Sequence, residues 1–127
     1  MKQFKSLHLF LALLLLFLST GCSAVSEASK DLDFRAKQLT PPTGKSIVYI
    51  VRTSSYGTAA SFDVFIDEKY IGTTGGSRFI YTIVSPGKHT LKSYAENDSF
   101  LSLNTAADSI YYVRQNVSLG FLKARNE

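Results

Sequence analysis

Ser46-Ile47-Val48-Tyr49-Ile50-Val51-Arg52 is the run on which the reading of the fold turns. Ile47, Tyr49 and Val51 project to one side of an extended chain, and Val48 and Ile50 to the other. An apolar residue at every position from 47 to 51 describes a strand covered on both faces, so this run is expected at the centre of a sheet. Residues 31–39 are the expected cover for one of those faces.

Downstream the texture is short β-like runs separated by turn residues. Ser61–Ile66, Tyr70–Gly72, Ser77–Val84, His89–Ala95, Phe100–Thr105 and Ile110–Val117 follow in order, and Phe121-Leu122 begins a possible eighth. Most alternate. Phe62, Val64 and Ile66 oppose Ser61, Asp63 and Phe65; Leu91, Ser93 and Ala95 oppose Thr90, Lys92 and Tyr94; Leu101 and Leu103 oppose Ser102 and Asn104. Each such strand has one buried and one wet face. Parallel neighbours need crossovers of a dozen or more residues, and no gap between consecutive runs is that long. The fold class expected is all-β, a small antiparallel β-sandwich of about seven strands over residues 44–127. Thr73-Thr74-Gly75-Gly76 is expected to be a hairpin turn.

Upstream, Pro41-Pro42 stops a short helix expected within Asp31–Leu39, and Ser23–Lys30 is small and polar, as a linker should be. Before that, Lys2 and Lys5 precede an uncharged apolar run, Leu9–Leu18. A ten-residue helix rises about 15 Å, roughly half the hydrocarbon thickness of a bilayer. The run therefore reads as a cleaved export signal rather than a permanent span. Ser19-Thr20-Gly21 and then Cys22 follow it, and Cys22 is the only cysteine of the chain. This arrangement resembles the lipobox of bacterial lipoproteins, which implies acylation of Cys22 and attachment to a membrane. Ser23, a residue other than aspartate after that cysteine, implies the outer membrane. Residues 1–21 are then a lipoprotein signal peptide, and 22–43 a lipidated tether and linker.

Composition narrows the function classes. The 127 residues are 45% hydrophobic and 13% aromatic, enough to build one core and too much for wholesale disorder. Loss of Lys2 and Lys5 with the signal lowers the basic count from 14 to 12 against 10 acidic residues. No concentrated basic face is visible, so nucleic acid is not an expected partner. A single cysteine forms no internal disulfide, and with His89 the only histidine past residue 10, no metal site or cofactor is expected.

Beyond the composition, residues 36–120 carry a resemblance. Ala36-Lys37-Gln38, Pro41-Pro42-Thr43-Gly44-Lys45 and Ile47–Arg52 resemble the opening of a bacterial lipoprotein family whose shared domain is catalogued as domain of unknown function 2846. Phe62–Gly72, Ser85-Pro86-Gly87-Lys88-His89-Thr90-Leu91 and Ile110-Tyr111-Tyr112-Val113-Arg114 continue the match. The middle part also resembles PEGA-type β-sandwich repeats, with a strand–turn–strand ending in glycine and a Pro-Gly-x-His turn. The resemblance implies a fold and an envelope address, and no reaction. Where the family carries glycine after the Asp67 position, this chain has Glu68. Before Tyr111, Ala107-Asp108 stands where a glycine is usual. Looser loops are expected at both places, as is a last strand that is short or absent.

Candidate chemistry is thin. In the family motif His89 reads as a turn histidine whose ring bonds nearby backbone, and no nucleophile motif accompanies it. Asp63 and Asp67 lie on one strand face about 13 Å apart, beyond the reach of a glycosidase pair. Tyr49, Tyr56, Tyr70, Tyr81, Tyr94, Tyr111 and Tyr112 offer stacking platforms, and Tyr111 and Tyr112 must point to opposite faces. Arg52 and Arg114 each end a strand and are expected at the same end of paired strands. Tyr112, Arg52 and Arg114 are the candidate binding residues, with Asp63 or Asp108 as alternative salt-bridge partners for the arginines. The expectation is a non-enzymatic envelope lipoprotein anchored through Cys22 that contacts protein or envelope polymer. A peptidoglycan- or carbohydrate-binding module using tyrosines, and a small hydrolase using His89, are the alternatives.

Overall fold

A computed structural model describes residues 27–53, 60–95, 97–119 and 124–126. Cys22, the expected export signal of residues 1–21, Tyr56 and Phe121-Leu122 lie outside the described residues. Among the described residues the first element is a short helix, α1 (Lys30–Ala36), capped by the Ser29 hydroxyl, which accepts from the Leu32 amide. Seven strands follow: β1 (Ser46–Arg52), β2 (Phe62–Ile66), β3 (Lys69–Thr74), β4 (Arg78–Val84), β5 (Gly87–Tyr94), β6 (Asp98–Thr105) and β7 (Ser109–Arg114). A small ribbon, β8 (Val117–Leu119) with β9 (Ala124–Asn126), follows them.

The seven strands form two sheets, three-stranded β4-β1-β7 and four-stranded β3-β2-β5-β6. β1 is central, as its apolar residues on both faces require. Val48 and Ile50 point inward onto Val64, Ile66, Val84 and Leu91, with Ile71, Ile80, Leu103, Tyr111 and Val113 packed around them. Ile47 and Tyr49, on the opposite side, are also buried. The end of α1 partly covers that side: the Tyr49 hydroxyl donates to the Ala36 carbonyl, and the Lys37 ammonium sits 5.6 Å from the Phe79 ring centre.

Two expectations about connection are corrected. β1 and β7 pair in parallel, with Ile47 beside Ile110 and Val51 beside Arg114. The crossover they need is the whole stretch from β2 to β6, not any gap between consecutive strands. The Thr73–Gly76 segment is not a hairpin turn either. β3 pairs with β2 in one sheet and β4 with β1 in the other. The chain therefore changes sheet at Gly75-Gly76-Ser77, because the open edge of β1 takes up β4.

The two looser loops are also not found. Ile66 pairs with Lys69, so Asp67 and Glu68 form a two-residue turn with φ of 48° and 68°. That is the type I′ geometry that matches strand twist and normally calls for glycine. Asp67 offsets the conformational cost with hydrogen bonds from β5, described below. Asp108 likewise takes a φ of 55°, where its carboxylate accepts from the Gly44 amide at 2.8 Å and its amide donates to the Lys45 carbonyl at 2.7 Å. These contacts pin the β6–β7 turn to the start of β1.

Candidate functional site

Three features carry the polar and aromatic residues singled out above. The first is a histidine junction. β5 begins after Pro86, and His89 lies on its inner side against the β2–β3 turn. His89 Nδ1 donates to an Asp67 carboxylate oxygen at 2.6 Å, and Nε2 donates to the Ser85 carbonyl at 2.7 Å. A carbonyl only accepts, so Nε2 carries a proton, and the carboxylate favours a second proton on Nδ1. Asp67 also accepts from the Thr90 amide at 2.9 Å and donates its own amide to the Thr90 carbonyl. The ring therefore clamps the β2–β3 turn to the β4–β5 connection.

Hydrogen bonds to Asp67 and to Ser85 raise the His89 pKa above its ordinary 6.5, and the bonds from His89 and Thr90 lower that of Asp67 below 3.8. A raised histidine value stabilises the fold fully below pH 6.5, and that contribution is lost as pH rises through the raised value. A lowered carboxylate value stabilises above pH 3.8, and is lost as pH falls through the lowered value. The junction is thus strongest between those two ordinary values. The melting temperature is expected to fall as pH is raised beyond 6.5, and His89→Gln is expected to flatten that part of the profile. Parallel profiles for the wild type and the variant between pH 6 and pH 9 would contradict the assignment.

The second feature is a polar layer buried between the sheets. Arg52 points inward at the end of β1 and is fully buried. One guanidinium nitrogen donates to the Ala60 carbonyl at 2.6 Å, and the group lies 4.7 Å from the centre of the Phe62 ring. Burial lowers its pKa. Nearby, the Thr74 hydroxyl donates to the Gln115 side-chain oxygen, and the Gln115 amide nitrogen donates to the Ser93 hydroxyl. This layer fills one end of the sandwich.

The third feature is the outer face of the three-stranded sheet. Register places Tyr81, Tyr49 and Tyr112 side by side across β4, β1 and β7, and Ile83, Ile47 and Ile110 in the next row. Tyr49 is 4% exposed and stacks on Tyr112, with centroids 5.2 Å apart and planes 12° from parallel. Tyr81 and Phe79 flank it at 5.8 and 5.9 Å. Burial and the neighbouring phenols raise the Tyr49 pKa, so its hydroxyl stays protonated to donate to Ala36. Tyr112, at 70% exposed, is the open side of the stack. A groove of about 720 Å³ between α1 and the β3–β4 corner runs into this face, lined by Leu32, Ile71, Phe79 and Tyr81 among others.

The three candidate binding residues are thus divided. Tyr112 and Arg114 share the outer face, and Arg114 also donates to the Thr53 hydroxyl at 3.3 Å. Arg52 ends the neighbouring strand at the same end of the sheet but turns into the interior. Neither arginine takes Asp63 or Asp108 as its salt-bridge partner: Asp63 accepts from Thr73 and Asp108 from Gly44. The tyrosines are sorted by strand parity. Tyr111 points inward, where its hydroxyl accepts from the Ala106 amide, while Tyr70 and Tyr94 belong to the outer face of the other sheet. Phe65 and Phe100 lie beside them there. A search for tyrosines alone passes over both, although their alternation with polar neighbours is visible in the sequence.

Among the described residues no helix is long and apolar enough to cross a membrane. A family model described as Protein of unknown function (DUF2846) matches residues 42–126. An "Uncharacterized protein" of Haemophilus influenzae is 34% identical over 105 residues, which cover 81% of this chain and 62% of that protein. The match therefore spans less than two thirds of the relative's length.

Proposed function

This chain belongs to the DUF2846 family, and we propose that it is a lipid-anchored envelope protein that works by contact with a partner protein, without catalysing a reaction. The observation that carries this reading is the outer face of the three-stranded sheet. Tyr81, Tyr112, Ile83 and Ile110 are exposed there around the buried Tyr49, with Arg114 at the margin. Tyrosine, phenylalanine and arginine are enriched at protein interfaces, whose centres are depleted of lysine, aspartate and glutamate. Contiguous apolar surface of this kind on a small domain marks an interaction site.

The anchor rests on Cys22 at the end of the Leu9–Leu18 run, and the outer membrane rests on Ser23; the reading puts the domain in the periplasm. Support for a non-enzymatic role comes from His89, whose two ring nitrogens are both taken up within the fold, by the Asp67 carboxylate and the Ser85 carbonyl.

A photo-crosslinking residue at position 112 in intact cells tests the contact. One dominant envelope protein is expected to be captured, and Tyr81→Ala is expected to reduce that adduct. The same probe at Ser102, on the opposite sheet, is expected to miss it. Equal capture from both positions, or capture indifferent to Tyr81→Ala, would remove the interface from this face.

A further inference from the structure

We propose that the outer face of the four-stranded sheet is a second, independent binding site, for a neutral oligosaccharide. Strand register builds it as two rows across β3, β2, β5 and β6. One row is Tyr70, Phe65, Lys92 and Phe100; the next is Thr73, Asp63, Tyr94 and Asp98. Neighbouring strands are about 4.8 Å apart, so each row extends roughly 14 Å, the reach of a short sugar chain rather than of a single ring. Phe100, Tyr70 and Tyr94 are 66%, 53% and 52% exposed.

The polar groups between the rings are held in fixed positions. The Tyr70 hydroxyl donates to the Thr73 hydroxyl at 2.6 Å, which in turn donates to Asp63 at 2.6 Å. The Lys92 ammonium pairs with Asp98 at 2.8 Å while lying 5.7 Å from the Tyr94 ring centre and 5.6 Å from that of Phe100. Phe65 and Tyr70 meet edge to face at 5.5 Å. The side chains are thus positioned by one another before a ligand arrives, which lowers the ordering cost of binding.

The chemistry discriminates among occupants. A protein interface centre is depleted of lysine and aspartate, yet here two carboxylates and an ammonium stand among the rings, unlike the tyrosine face of the other sheet. A sugar chain matches this alternation: its C–H faces lie on aromatic rings, and its hydroxyls donate to carboxylates and accept from an ammonium. Asp63 and Asp98 outnumber Lys92 in the two rows, so the site disfavours polyanionic glycans and selects a neutral one.

The test is retention of the full-length chain, in detergent, on immobilised chitotetraose and cellotetraose, with hyaluronate as the anionic arm. At least one neutral matrix is expected to retain the wild type. Phe100→Ala and Tyr94→Ala are expected to weaken retention tenfold or more with melting temperatures unchanged, since both side chains are exposed. Tyr112→Ala, on the other sheet, is expected to leave it unchanged, so failure of this site and failure of the protein interface are read separately. Passage through both neutral matrices, retention indifferent to Phe100→Ala and Tyr94→Ala, or stronger retention on hyaluronate would each overturn the proposal.

Discussion

Ile50→Ala is expected to lower the melting temperature of the domain by roughly 10–30 °C. Ile50 is 1% exposed on the inner side of the central strand, paired with Ile80 of β4 and Val113 of β7. Removing its branched side chain loses the transfer free energy of those atoms and leaves a cavity that rigid strands on both sides cannot close. Such truncations cost about 2–5 kcal/mol, a large part of the roughly 5–15 kcal/mol by which domains are stable. At about 4–8 °C per kcal/mol for a domain of this size, the shift is large enough to leave a fraction unfolded at growth temperature. Ile83→Ala is the matched control. Ile83 lies on the adjacent β4, on the outer face, and is 47% exposed. Its loss is expected to cost less than about 1 kcal/mol, since half its surface already meets water. Equal shifts for the two variants, measured by thermal melts, would place the core elsewhere.

The second large effect is expected at Cys22, and it concerns address rather than stability. Each buried acyl methylene contributes about 0.8 kcal/mol to membrane affinity, and two or more chains make attachment stable. Cys22→Ser removes the sulfur on which the proposed acylation depends. Palmitate labelling is expected to fall to background, and no product whose N-terminus carries the acyl mass is expected. The protein is then either released or held as a precursor still bearing Leu9–Leu18. Mass spectrometry of the N-terminus separates those two states. Labelling unchanged by the substitution would refute the anchor, and an unmodified, freely soluble wild type would refute it independently.

Much of the architecture is legible in the chain because burial leaves a mark at every second residue of a strand. The limits of β1 are readable because Ser46 and Arg52 bound the unbroken apolar run of residues 47–51. Phe62, Val64 and Ile66 are buried together as their spacing requires. Alternation is less informative at the rim. Leu101 stands opposite Leu91 on the inner side of β6, yet it is 44% exposed because β6 is an edge strand with no further neighbour in its sheet. Turn chemistry also deceives where a side chain substitutes for glycine. Asp67 and Asp108 hold left-handed backbone because their carboxylates reach distant amides, and those partners, Thr90 and Gly44, are not near them in sequence. The histidine motif is readable as a turn feature from Pro86-Gly87-Lys88-His89, but its acidic partner, 22 residues away, is not.

The local properties are carried by the chain alone: the export-like start with its lone cysteine, the number and most limits of the strands, which side of each is apolar, and the central place of β1. Which strands are neighbours is settled by the folded pairing. It set β7 parallel to β1, sent β3 and β4 to different sheets, turned Arg52 inward and Arg114 outward, and assembled Tyr49, Tyr81 and Tyr112 into one face with Phe65, Tyr70, Tyr94 and Phe100 on another. The reason is physical. Alternation is written along a single chain and survives in any register, whereas a surface made of rows across strands exists only once pairing has aligned residues 63 positions apart, as it does for Tyr49 and Tyr112.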